Sequence, residues 1–180
     1  GTFGDTFLAK DLNPAVGSVY CAVKRLKDAD NHHSPETVAK IRKAFETEAK
    51  TLQKLGARSG NIPSLYDYFS VTVTDSRLHI SQENYLVQQY IEGEDLNKEL
   101  EEQGLFSEIK VLDLLKNILP VLEFIHKHDV IHRDIKPKNI MRSTEAENKF
   151  YLIDFGAVKQ VIKGDIDTTE KSIVFLSKSY

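Results

Sequence analysis

Short apolar-rich runs bounded by turn residues open the chain, give way to a helical rhythm, return, and then turn helical for a second time. Thr6-Phe7-Leu8-Ala9-Lys10 and Val19-Tyr20-Cys21-Ala22-Val23-Lys24 read as two strands, joined by a turn at Asn13-Pro14-Ala15-Val16-Gly17. A polar linker from Lys27 to His33 ends at Ser34-Pro35-Glu36. There a capping hydroxyl, a first-turn proline and an acid predict a helix that runs to Leu55 and stops at Gly56. After Asn61-Ile62-Pro63, strands are predicted from Leu65 to Thr74 and from Asn84 to Ile91, with a turn at Asp75-Ser76. Glu92-Gly93-Glu94 breaks the strand pattern and marks a hinge. Ser107 starts a long helix in which Val111, Leu115, Ile118, Leu122 and Ile125 repeat at intervals of 4, 3, 4 and 3, with Pro120 inside it as a predicted kink. Ile140-Met141 and Phe150-Tyr151-Leu152-Ile153 form a short predicted hairpin. The expected fold class is α+β in two lobes: residues 1–91, a sheet with one helix, and residues 92–180, the start of a mainly helical part.

One polar residue interrupts this pattern in an informative way. Ile41, Phe45, Leu52 and Leu55 are spaced 4, 7 and 3 in the first predicted helix, and Glu48 fills the gap to give 4, 3, 4, 3. A carboxylate therefore sits in the middle of the inward face, where an ionised group is costly unless paired. The cation in a comparable setting is Lys24, on a predicted strand beside Ala22, Val23 and Leu26. Periodicity thus nominates a Lys24–Glu48 pair, against the plain alternative of a solvated glutamate at a helix edge.

Composition narrows the field. With 180 residues and 41% hydrophobic content the chain can bury the core of one domain or two small lobes. A net charge of −3 gives no case for a nucleic-acid or membrane-surface partner. The single cysteine, Cys21, excludes an internal disulfide framework and fits a reducing, cytoplasmic setting. No apolar run in the chain approaches the length of a membrane span.

The chemistry is concentrated in residues 132–139, His-Arg-Asp-Ile-Lys-Pro-Lys-Asn, followed fifteen residues after Asn139 by Asp154-Phe155-Gly156. Asp134 is a carboxylate able to accept a hydroxyl proton, and Lys136 is a cation in the same loop. Asn139 and Asp154 offer hard oxygens suited to magnesium. His126, His128 and His132 cluster, but no cysteine or clear fourth ligand accompanies them to make a zinc site. Phosphoryl transfer asks a protein mainly for positioning and charge neutralisation, which these groups supply. The combined motifs resemble those of the Hanks-type serine/threonine protein kinases, with wording similar to bacterial and particularly cyanobacterial members.

That resemblance implies a set of roles. Asp134, Lys136, Lys24 and Glu48 would be catalytic, and Asn139 and Asp154 would hold Mg2+. The acceptor would be a serine or threonine hydroxyl of a protein substrate and the donor ATP. Gly1-Thr2-Phe3-Gly4 resembles the end of a glycine-rich phosphate loop, with Gly1 and Gly4 closing over the phosphates. Thr6 stands where kinases usually have valine. Ala22 and Met141 would sandwich the adenine, Gln88 would be the gatekeeper, the backbone of Gln89 and Ile91 would reach the base edge, and Asp95 would contact the ribose. His132 would pack near Phe155. Leu176-Ser177-Lys178-Ser179-Tyr180 departs from the family's Gly-Thr-x-x-Tyr, and Ser177 could replace the threonine hydroxyl. Arg133, with Thr168, Thr169, Ser172, Ser177 and Ser179 beyond it, suggests a loop-phosphate switch, with Ser172 favoured. The chain is expected to be a fragment, opening inside the glycine loop and stopping before an Ala-Pro-Glu-type motif, and so inactive by itself. Two other readings compete: a pseudokinase or nucleotide-binding scaffold, and a small-molecule phosphotransferase of the same architecture.

Overall fold

The computed structural model describes residues 4–12, 19–26, 34–74, 80–145 and 149–160. The predicted turns at 13–17 and 75–76, Gly1 with Thr2 and Phe3, and the loop carrying Thr168, Thr169, Ser172, Ser177 and Ser179 lie outside those residues.

Four antiparallel strands form the first sheet: β1 (Gly4–Asp11), β2 (Val19–Leu26), β3 (Leu65–Thr74) and β4 (Ile80–Gln89), in the order β1-β2-β4-β3. β4 starts four residues before the predicted strand and stops two earlier. Its polar start, Ser81-Gln82-Glu83, is held by ladder pairing with Val73, Thr72 and Val71, a long-range support that local alternation does not register. Between β2 and β3 lies α1 (Pro35–Leu55), bounded as predicted. The Ser34 Oγ accepts the Thr37 N–H at 3.3 Å, and Gly56 follows the last turn. A Cβ on Gly56 would stand 2.3 Å from the Pro63 carbonyl oxygen, so only glycine lets the returning chain pass.

The second part contains a strand that the sequence pattern presents as a break. β5 (Gly93–Asp95) pairs with β7 (Ile140–Ser143), which pairs in turn with β8 (Phe150–Leu152). Gly93 has φ +153°, and a Cβ there would lie 1.9 Å from the Arg142 carbonyl oxygen. The residue that breaks the predicted strand is therefore the one that permits the pairing. α2 (Leu96–Gln103) and α3 (Glu108–Lys127) follow, the latter capped by the Ser107 hydroxyl accepting the Lys110 N–H. A two-residue strand, β6 (Val130–Ile131), pairs with β9 (Lys159–Gln160) across the segment between them.

α3 continues through Pro120 as one element. The proline and Lys116 are both exposed, so water can serve the carbonyl that loses its helical donor. Of the predicted stripe, Ile118 and Ile125 are buried and Leu122 partly so, whereas Val111 and Leu115 are 40% and 43% exposed. The helix packs on β8 and β6, and its buried residues, Ile118, Val121 and Ile125, all lie in its C-terminal half.

One core runs through both sheets, from Ala49, Leu52 and Leu55 on α1 through Ile62 and Leu86 to Ile125, Phe150, Leu152 and Phe155. Polar ties reinforce it. Asn61 donates through Nδ2 to the Phe150 carbonyl at 2.8 Å and accepts the Leu152 N–H at 2.9 Å, while Lys54 donates to the His128 carbonyl at 2.7 Å. The two sheets are thus fixed to each other on one side, and a cleft opens on the other.

Candidate active site

The cleft encloses about 650 Å³ and is lined from β1, β2, α1, β4 and the segments around β7 and β8. Strand register decides which side chains reach it. Thr6 lies opposite Lys24, Leu8 opposite Ala22, Lys24 opposite Leu86 and Ala22 opposite Gln88, so these residues share one sheet face. Of them, Thr6, Leu8, Ala22, Lys24 and Gln88 line the cleft, with Gly4, Gln89, Ile91 and Met141.

On that face Lys24 donates to Glu48 Oε1. The Glu48 side chain is 5% exposed and that of Lys24 20%, so this pair is held largely out of water. Burial pushes the Glu48 carboxyl up, against the opposing pull of Lys24, and the neighbouring Asp154 pushes the same way as burial. The helix stripe and the strand register meet at this contact.

The 132–139 loop forms the opposite wall. Lys136 Nζ lies 2.8 Å from Asp134 Oδ2, and Asn139 Nδ2 donates to the same oxygen at 2.9 Å and to the Asp134 backbone carbonyl at 2.8 Å. Partial burial raises the Asp134 carboxyl, but the bonds from Lys136 and Asn139 outweigh it and hold the group below its ordinary value. Because the Asn139 amide nitrogen faces Asp134, its oxygen is turned away and free to meet a cation. A one-turn 3-10 segment, Pro137–Asn139, brings that asparagine back into the fold, where it is buried.

His132 is structural. Its Nε2 lies 3.1 Å from the Ile153 carbonyl, its Nδ1 accepts the Asp134 N–H at 3.3 Å, and its ring meets Phe155 edge-on at 4.8 Å. Those partners require the neutral ring with the proton on Nε2, and burial holds the imidazole below its ordinary pKa. Nearby, His128 Nδ1 contacts the Phe124 carbonyl at 2.8 Å. Arg133 and Asp154 both adopt left-handed backbone, φ 69° and 65°, a strained choice for residues other than glycine that concentrates at working sites. The turn brings Asp154 into the cleft, where its Oδ1 accepts the Gly156 N–H at 3.4 Å. Arg133 is exposed.

Asp95 does not line the cleft; its Oδ1 caps α2 by accepting the Lys98 N–H at 3.0 Å. Gln89 is anchored to Ser64, donating from its backbone N–H to the Ser64 carbonyl at 2.8 Å and accepting the Ser64 N–H on its side chain at 3.4 Å. Leu8, Ile153 and Lys138 also line the cleft without having been singled out from sequence. Leu8 was within reach of that reasoning, since it alternates with Thr6 on one strand face. Ile153 and Lys138 carry no signal of their own beyond adjacency to the motifs.

Residues 1–178 match the family model described as "Protein kinase domain". Among curated proteins the chain is 41% identical to serine/threonine-protein kinase PknA of Nostoc sp. over 160 residues, covering 89% of this chain and 26% of that protein. It is 43% identical to serine/threonine-protein kinase F of Synechocystis sp. over 166 residues, covering 91% of this chain and 32% of the relative. It is 43% identical to serine/threonine-protein kinase C of the same organism over 163 residues, covering 90% and 28%. The chain therefore spans between a quarter and a third of the length of the curated relatives it matches.

Proposed function

This chain belongs to the protein kinase family, and from that premise we propose that the protein transfers the terminal phosphoryl group of ATP to serine and threonine hydroxyls of protein substrates. One observation carries the reading: the Lys24–Glu48 pair, the Asp134–Lys136–Asn139 cluster and Asp154 line a single cleft, although they are spread over 131 positions of sequence (Lys24 to Asp154, both counted). The relatives' names assign serine/threonine kinase activity to those proteins, and this proposal extends it here.

The residues fit a divalent cation that is shared with phosphate. Asn139 and Asp154 supply an amide and a carboxylate oxygen, and among the described residues no group of three His, Cys, Asp or Glu converges as a protein cage. Such a partial oxygen set suits magnesium, which keeps waters and takes further ligands from phosphates. When bound, the cation would neutralise charge on the donor phosphates. Lys24, kept in place by Glu48, presents its ammonium to the triphosphate. Asp134, held ionised, orients the acceptor hydroxyl and takes its proton. Lys136, 2.8 Å from that carboxylate, offers positive charge to the group in flight. Met141 and Ala22 bound the slot for the base, Gly4 begins the strand above it, and Ile91 borders it. Asp95 is assigned to the ribose by family likeness alone.

No helix among the described residues is long and apolar enough to cross a membrane. A cytoplasmic setting is part of the proposal, supported by the demand for ATP and by Cys21, which is buried and unpaired. The test is transfer from γ-labelled ATP to protein acceptors by the intact protein, with phosphoamino-acid analysis of the product. Label on serine and threonine supports the reading. Label on small molecules alone, or no transfer with magnesium present, overturns it.

A further inference from the structure

Gln88 is a polar side chain in the cleft whose environment the fold itself does not explain. It is 6% exposed, and its Oε1 is buried without a hydrogen-bond donor among the described residues. Its neighbour Gln89 shows the contrast, since that side chain is engaged by Ser64. Cross-strand pairing places Gln88 opposite Ala22, on the sheet face that also carries Lys24, and it lines the same cleft. A buried acceptor without a donor is a standing cost to the free protein, removed when a ligand supplies the donor.

Charge orders the cleft. Lys24, Lys136 and Asp154 mark the triphosphate end, which leaves the base to the region bounded by Gln88, Ile91, Ala22 and Met141. In an adenine nucleotide the exocyclic amine is the only donor on the base. We propose that Gln88 reads the base, its side-chain oxygen accepting a hydrogen bond from the adenine 6-amino group, so that the residue sets preference among purine triphosphates. The assignment rests on the nucleotide-binding reading above and goes beyond it, because that reading needs only an apolar slot and backbone contacts.

Calorimetry on the intact protein with magnesium tests it through a binding cycle. ATP, purine riboside triphosphate (which lacks the 6-amino group) and inosine triphosphate (with a 6-oxo group) are titrated into wild type and Gln88→Met. Gln88→Leu serves as the second variant if the methionine form does not melt cooperatively. The expected result is ATP affinity weakened about fivefold to tenfold by the change, the worth of one neutral hydrogen bond, with purine riboside triphosphate shifted by less than about twofold. Equal shifts for ATP and purine riboside triphosphate would overturn the assignment. An equal loss for inosine triphosphate and ATP would also overturn it, showing an amide that turns its nitrogen to either base. Absence of ATP binding by wild type would remove this inference together with the nucleotide reading, whereas normal ATP binding with a flat cycle removes this inference alone.

Discussion

Breaking the Lys24–Glu48 pair from its two sides should have unequal consequences, because its members are unequally buried. Lys24→Met leaves a carboxylate that is 5% exposed without its cation. Stranding an ionised group in that way costs about 3–5 kcal/mol. Glu48 can escape by taking up a proton, at about 1.4 kcal/mol for each pH unit above its folded pKa. Burial already pushes that pKa up, and loss of Lys24 removes the main opposing pull. A carboxyl whose folded pKa exceeds its unfolded value of about 4.3 binds more protons when folded, so its variant is most stable in acid and loses stability as pH rises through the folded pKa. Lys24→Met should therefore be destabilised by about 3 kcal/mol near pH 8 and by under about 1 kcal/mol near pH 5. Glu48→Gln leaves a lysine that can still reach water, so its cost should be about 1–2 kcal/mol and nearly independent of pH in this range. The double variant should lack the alkaline loss. Urea melts of the intact protein at several pH values measure these differences, and phosphoryl transfer supplies a second readout. Each single change should remove most of the transfer, and the double should be little worse, as expected for groups acting as one unit. A pH-independent cost for Lys24→Met, or activity losses that multiply, would refute the pairing argument.

Three further outcomes follow from the site. Neutral His132 has both ring nitrogens committed, so protonation sets a donor against the Asp134 N–H. Its folded pKa is lowered, so the unfolded chain binds more protons and stability should fall as pH drops below about 6.5, a slope that His132→Gln should flatten in pH-dependent melts. Asp95→Ala should cost about 1 kcal/mol through loss of the α2 cap, and if the carboxylate also meets the ribose, ATP affinity should fall more than that of a 2′,3′-dideoxy analogue. If a loop phosphate docks on exposed Arg133, phosphopeptide mapping of active protein should find Ser172, Thr168 or Thr169 modified, with Ser172→Ala and Arg133→Ala lowering transfer alike; full activity with an unmodified loop would remove the switch.

Features governed by local repeat were legible in the sequence. The stripe 41-45-48-52-55 placed Glu48 on the buried face because helix geometry alone fixes which residues share a side. Ser34-Pro35 and Gly56 bounded α1 for equally local reasons. Features that depend on distant partners were not. β5 exists because Gly93 can approach the Arg142 carbonyl, and β6 because Lys159 and Gln160 arrive beside it. Val111 and Leu115 show the limit of periodicity, which identifies an apolar face but not what packs on it. At the site, motif likeness placed Asp134, Lys136, Asn139 and Asp154, and the cleft brings them together. It could not show that Asp95 caps a helix or that the Gln88 oxygen meets no donor among the described residues, since both depend on side-chain orientation.

The most direct measurement of the central claim compares wild type with Asp134→Asn in the intact protein, following both magnesium–ATP binding and transfer to a protein acceptor. Asparagine keeps the shape of the side chain and an oxygen for Lys136 and Asn139, but it cannot take a hydroxyl proton. The account predicts nucleotide affinity within about twofold of wild type and transfer lowered by at least about a hundredfold, the scale of a lost acid–base group. Transfer at the wild-type rate by Asp134→Asn would contradict it, because the chemistry would then be carried out by a different group.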